Sequence, residues 1–239
     1  KIIPKTGEAT NYVLATSVST GTNNKNLLQG DYLDNNSYRD EWLLFDVSKK
    51  YSQVSLGYSG ASSFNAKVKQ YYETNASAYG STYTSINESD FIYEMKNATY
   101  FGGMLHGGEY EDKLQISSSE VLYLSEISSL PNADFNSVKI VILTSCYSGR
   151  INGFVDTLLS KGVDVVIGFS GQIEQETSAF WTERLIYALT QGNTVQYSID
   201  YANAELDEEY SGSYYADCRS LIKWGLYTGT SDLSSTPCS

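Results

Sequence analysis

The 239-residue sequence holds one histidine, His106, and three cysteines, and it lacks any run of the roughly 18 to 20 uninterrupted apolar residues that a membrane helix needs. That last absence excludes a helical membrane span. Cations are scarce as well: 16 Lys and Arg stand against 28 Asp and Glu, for a formal charge of −12. Nucleic acid and anionic membrane surfaces repel such a chain, which leaves neutral or basic peptides and proteins as the natural partners. With one imidazole available, a serine or cysteine that depends on a histidine base must lie beside His106. The opening "KIIPKTGEAT" is too polar for a signal peptide, so a secreted chain of this sequence is expected to be a mature form or an excised piece.

Of the cysteines, Cys218 and Cys238 flank the last apolar segment and can reach each other, which leaves Cys146 over. Spacing alone leaves one bridge and three free thiols equally open. The 41% hydrophobic content is enough for one large core or two modest ones. Abundant Tyr, Ser, Asn and Thr beside few cations suit the surface of a secreted or cell-surface bacterial protein.

Residues 1–47 are rich in Asn, Thr, Gly and Asp, with short apolar pieces between turn formers. They are expected to form a β/loop N-terminal extension, or the end of a preceding domain, ahead of a main domain spanning 48–239. Within it "DYLDNN" (Asp31, Asp34) has oxygens enough for Ca²⁺ but not the spacing of a known calcium loop, and a solvated turn is the simpler reading. No metal or other cofactor is expected.

From residue 51 onward apolar runs alternate with helical periods. "SQVSLGYSG" predicts a strand, and the next segment a helix capped by Ser62 or Ser63 with Phe64, Val68 and Tyr71 or Tyr72 on one face. "ESDFIYEMKNA" predicts a helix starting near Ser89 or Asp90, and "TYFGGMLHGG" a strand that ends at His106. A hairpin then leads into a short helix capped by Ser125. "SVKIVILTSCYSG" is so apolar and β-branched that it predicts a strand buried on both faces, ending at Cys146. "INGFVDTLLSKG" reads as a helix stopped by Gly162, "VDVVIGFSG" as a second buried strand, and "QETSAFWTERLIYALTQG" as a long helix whose Trp181 and Tyr187 face the core. A further helix follows, then an acidic loop, "ELDEEY" (Glu205 to Tyr210), and a last strand, "LIKWGLYTG". The order predicts an α/β three-layer sandwich: a mostly parallel sheet of about six strands with helices on both faces.

In open parallel sheets functional side chains gather beyond the carboxyl ends of the strands, where loops converge over a crevice. Two strands here end in reactive residues, His106 and Cys146. The forty residues between them suffice for a hairpin, a helix and a return strand, so the two ends can lie side by side. A thiolate is a strong nucleophile near neutral pH, and an imidazole can deliver the proton that a departing amine needs. Gly107 and Gly108 leave backbone bare for an oxyanion, and the Cys146 amide offers a second donor. Ser145 and Ser148 read as turn formers.

"YFGGMLHGG" followed by "VKIVILTSCYSG" resembles the His-Gly and Cys motifs of the caspase-like (clan CD) cysteine peptidases, the group of caspases, legumains, gingipains, clostripain and separase. Residues 163–206 also resemble the second half of a CHAT domain in the order of strand, acidic loop, long helix, turn and Ala-bearing helix. The resemblance implies a caspase-like fold over about residues 51–228 and a cysteine endopeptidase with Cys146 as nucleophile and His106 as general acid/base. It also implies an oxyanion hole from the Gly107 and Cys146 amides. Relatives that cleave after basic residues carry an acid two positions before the cysteine; Thr144 stands there in this chain, so substrate charge would come from Glu174, Glu176 or Asp112. The alternative is a catalytically silent binding or scaffold module of the same fold.

Overall fold

The computed structural model describes residues 49–56, 60–108, 112–210 and 222–226, and two short strands before them, β1 (Leu28–Asp31) and β2 (Arg39–Trp42), paired antiparallel. The rest of the expected 1–47 extension, the side chains of Asp31 and Asp34, and Cys218 and Cys238 lie outside the described residues.

Six strands form the central sheet: β3 (Lys50–Ser55), β4 (Tyr79–Tyr83), β5 (Tyr100–Met104), β9 (Ile140–Thr144), β10 (Val165–Phe169) and β11 (Ile222–Leu226), in the order β11-β10-β9-β5-β3-β4. All neighbours run parallel except β11, which is antiparallel to β10. The apolar runs that predicted strands buried on both faces behave so: every residue of β5, β9 and β10 is buried.

Side-chain alternation then divides the core into two layers. Tyr100, Ile140, Ile142, Val165 and Ile167 meet α1 (Ala61–Asn75), α5 (Gln175–Thr190) and α6 (Val195–Glu209) through Phe64, Trp181, Leu185 and Ile199. Phe101, Val141, Leu143 and Val166 face the other way, onto α2 (Glu88–Asn97), α3 (Leu124–Ser129) and α4 (Phe154–Ser160) through Met95, Ile127 and Leu158. Trp181 is fully buried, meets Phe169 edge-on at 5.5 Å and donates its indole N–H to Asn203 at 2.8 Å, as the core reading of that helix expected.

Several local expectations shift. The α1 cap is Gly60, so Ser62 and Ser63 fall inside the first turn. Asn87 caps α2, accepting the Asp90 N–H at 2.9 Å, and the helix begins at Glu88, one residue ahead of Ser89. Ser125 is inside α3, which is closed by the Glu126 carboxylate on the Tyr123 N–H at 2.6 Å. The predicted acidic loop is helical to Glu209, because Leu206 is fully buried and draws that turn onto the core.

The strand expected to end at His106 instead breaks after Met104. His106–Gly107 forms a separate two-residue strand, β6, that pairs with β7 (Lys113–Gln115), itself paired with β8 (Val121–Tyr123). The break lets the chain turn off the main sheet at the carboxyl end of β5, next to the point where strand order reverses between β3 and β5.

Candidate active site

Register brings the two reactive residues together. Met104 of β5 is level with Thr144 of β9, and the Leu105 N–H donates to the Thr144 carbonyl at 3.1 Å, so His106 and Cys146 each follow two residues beyond adjacent strand ends. Beyond that pairing the two segments pack backbone to backbone. A Cβ on Gly107 would stand 1.9 Å from the Cys146 carbonyl oxygen and 2.6 Å from Ser145 Oγ, so a larger residue cannot sit there without moving the chain.

The turn carrying Cys146 is held from several sides. Tyr147 has a left-handed backbone, with φ 59°, a costly conformation for an aromatic residue that turns the chain sharply just after the cysteine. The Tyr147 N–H donates to Gly171 O at 3.0 Å and the Gly149 N–H to Phe169 O at 2.8 Å. Ser148, 1% exposed, accepts the Phe169 N–H at 3.1 Å and shares its proton between the Leu143 and Ser145 carbonyls, both at 2.9 Å. Gly168 makes room for it: a Cβ there would lie 2.8 Å from Ser148 Oγ. Ser148 is thus the expected turn former, and a stronger one than sequence indicated. Ser145 is equally buried, but its hydroxyl has no hydrogen-bond partner among the described residues.

Cys146 is a partly exposed free thiol. Its Sγ accepts the Ile173 N–H at 3.4 Å and donates to the Ile173 carbonyl at 3.6 Å. His106 is exposed, and no hydrogen bond joins it to the thiol. The Cys146 N–H has no backbone acceptor among the described residues. One shallow cleft is lined by Cys146, Gly108, Tyr147, Asp112, Lys113 and Arg150.

The other predicted site residues sit apart in kind. Thr144 is 3% exposed and its hydroxyl pairs with Thr182 Oγ1 at 2.7 Å, so it braces β9 against α5 and presents nothing to a substrate. Glu174 caps α5, accepting the Thr177 N–H at 2.8 Å and the Thr177 hydroxyl at 3.0 Å. Burial pushes its carboxyl up, but the N–H groups of Thr177, Glu176 and Gln175 together outweigh that and hold it below the usual carboxylate range. Glu176 is exposed in the first turn of α5. Asp112 is ion-paired with Arg150. Among the described residues no cluster of three or more His, Cys, Asp or Glu could hold a metal ion.

Two participants escaped the sequence. Nothing local marks Ile173, whose contact with the thiol exists only because the loop after β10 folds over the end of β9. Arg150 had a signal, as the one cation between Lys139 and Lys161 and only four residues beyond Cys146.

The sequence matches no protein-family model and no curated protein. Among solved structures, the chain is similar to the Arg-specific cysteine proteinase gingipain R, with 8% identity and a TM-score of 0.57 over 72% of this chain and 45% of that one. Separase from Saccharomyces cerevisiae, in complex with securin, aligns over 74% of this chain and 11% of its own, with 17% identity and a TM-score of 0.49. This chain spans less than half of the gingipain chain. Together with the mostly parallel sheet and its helices, the gingipain likeness establishes a caspase-like fold.

Proposed function

We propose that the protein is a cysteine endopeptidase acting through Cys146 and His106. The observation that carries this reading is the close approach of Gly107 to Cys146, which puts the backbone after the sole histidine against the backbone of the cysteine at the carboxyl ends of two adjacent parallel strands. In the reaction the Cys146 thiolate attacks the peptide carbonyl. The Cys146 N–H, together with the Gly107 N–H, receives the oxyanion, and His106 protonates the departing amine; water then releases the acid from the thioester. The protein residues suffice for these steps without a cofactor, and peptides or proteins are the substrates. The acidic, Tyr- and Asn-rich surface suits work outside the cell.

A silent module of the same fold is the second reading, and one observation favours it: Sγ is engaged by Ile173 rather than by His106. The two are separated by alkylating Cys146 with iodoacetamide and by assaying a peptide library. The peptidase reading expects a labelling rate that falls in His106→Ala and hydrolysis that falls by about a thousandfold or more in Cys146→Ala and His106→Ala. Labelling no faster than that of a free thiol and indifferent to His106, or hydrolysis that survives Cys146→Ala, would sink it.

A further inference from the structure

The central sheet ends at β4, on the edge away from β11. The Tyr79 N–H donates to Lys49 O at 3.0 Å, so Tyr79, Ser81 and Tyr83 turn their peptide groups toward β3. Gly80 and Thr82 turn theirs outward, to no partner among the described residues. Edges of this kind are usually blunted by a proline, a charge or a bulge. Residues 74–87 contain no Pro, Asp, Glu, Lys or Arg, and the register with β3 runs unbroken from Tyr79 to Tyr83. Aromatic surface lies open beside the edge as well. Tyr79 and Tyr93 of α2 are each 59% exposed, and Lys50, opposite Tyr79 in the register, holds its ammonium 5.6 Å from the Tyr93 ring centroid.

The strand itself indicates what covers it. Tyr-Gly-Ser-Thr-Tyr reads aromatic, small, small, small, aromatic in either direction. Against a second copy laid antiparallel, with Ser81 on the two-fold axis, the outward peptide groups of Gly80 meet those of the partner's Thr82, and Tyr79 lies beside the partner's Tyr83. That register uses every outward group of β4 in both copies. Chains of net charge −12 repel each other, and a strip without charged side chains is where they approach at least cost.

We propose that β4 is the interface of a homodimer, in which two copies join edge to edge about Ser81 into one sheet with six strands from each. Because β4 runs parallel to β3, β5 and β9, the two candidate clefts then open at opposite ends of the joined sheet and leave each other free. The proposal stands apart from the peptidase reading: association without hydrolysis, or hydrolysis without association, separates the two.

A strand pair and its rings cover less than the ~1,200 Å² of a standard interface, so dissociation in the range of about 10 to 100 μM is expected, read by sedimentation equilibrium. Ser81 is exposed, and its substitution leaves the monomer folded. Ser81→Lys and Ser81→Asp each set like charges face to face on the axis and should weaken association about fivefold, while an equal mixture of the two variants should restore it. Facing strand residues stand roughly 4.5 to 5.5 Å apart at Cα, so Ser81→Cys should link to itself by a disulfide under mild oxidation, identified by peptide mass spectrometry. Tyr79→Cys, about 13 Å from its own copy in this register, should not. A chain that stays monomeric throughout that concentration range, a dimer indifferent to both charges at Ser81, or a disulfide formed as readily by Tyr79→Cys overturns the proposal. So does a monomer whose Gly80 and Thr82 amides exchange slowly with deuterium, since another segment of the chain then covers the edge.

Discussion

The cysteine side and the histidine side of the candidate site stand on adjacent strands but are held in different ways. On the cysteine side, a left-handed Tyr147, a buried Ser148 with three backbone partners and the Ile173 contact restrain the position of Sγ. On the histidine side, an exposed ring stands on a two-residue strand that, among the described residues, pairs with β7 alone. A nucleophile must meet a carbonyl carbon along a narrow path, whereas an imidazole that moves a proton tolerates rotation about its own side chain. On the proposed peptidase reading, the fold restrains the cysteine and leaves the histidine to be aligned when substrate fills the cleft.

The contact between the two sides is the first place to break that contrast. Gly107→Ala forces a Cβ to within 1.9 Å of the Cys146 carbonyl, and the less restrained histidine strand is the one that must yield. On the proposed peptidase reading, hydrolysis should fall by about a hundredfold, the effect of displacing a catalytic group by around an ångström. Loss of that size in kcat with a KM little changed is the expected outcome, and full activity would show that the two backbones are not tightly coupled.

Removing a restraint from the cysteine side should act on stability. Ser148→Ala leaves the buried Phe169 N–H without its acceptor and should cost about 1–3 kcal/mol, read as a lower urea midpoint. An equivalent truncation on the histidine side, at exposed positions of β6 or β7, should cost far less.

The Thr144–Thr182 pair sharpens the contrast further, because it lies directly below the cysteine strand end yet away from the cleft. Thr144→Val and Thr182→Val should each cost about 1 kcal/mol by orphaning the other hydroxyl, and the double variant should recover part of the sum in a double-mutant cycle. Peptide preference should be unchanged in all three. A shift in preference would restore Thr144 to the substrate site.

The smallest effect concerns Glu174, one residue beyond Ile173. Its folded carboxyl is held below the ordinary range, so the cap stabilises the protein fully above about pH 4.3 and that contribution fades as pH falls through the lower folded value. Glu174→Gln should flatten the acid limb of the stability curve slightly while leaving stability at neutral pH lower by the lost charge–helix interaction. An acid limb identical to wild type would remove Glu174 from the support of the Ile173 loop.

Much of the fold was legible because its determinants are local. The apolar, β-branched run ending at Leu143 can satisfy its surroundings only when covered on both faces, and β9 is so covered. Gly162 and Gly192, with φ of 96° and 82°, end helices where the chain must adopt a conformation that side chains resist. Caps were less legible, since Asn87, Gly60 and Tyr123 each compete with a neighbouring polar residue, and the packing of the helix body decides which one falls at the boundary.

The sequence by itself determined that two parallel-type strands lead into His106 and Cys146, each two residues past its strand end, that glycines follow the histidine, and that the chain holds one imidazole. Tertiary structure alone decided that β5 and β9 are neighbours in register, that Thr144 turns into the core, that Ile173 reaches the thiol and that Asp112 faces Arg150. The reason is range. Alternation and helical period reveal which face of each element is buried, because they reflect contacts within a few residues. Which strand ends and loops meet is set by sheet order, through contacts between segments separated by about 27 to 40 residues, and no local pattern encodes it.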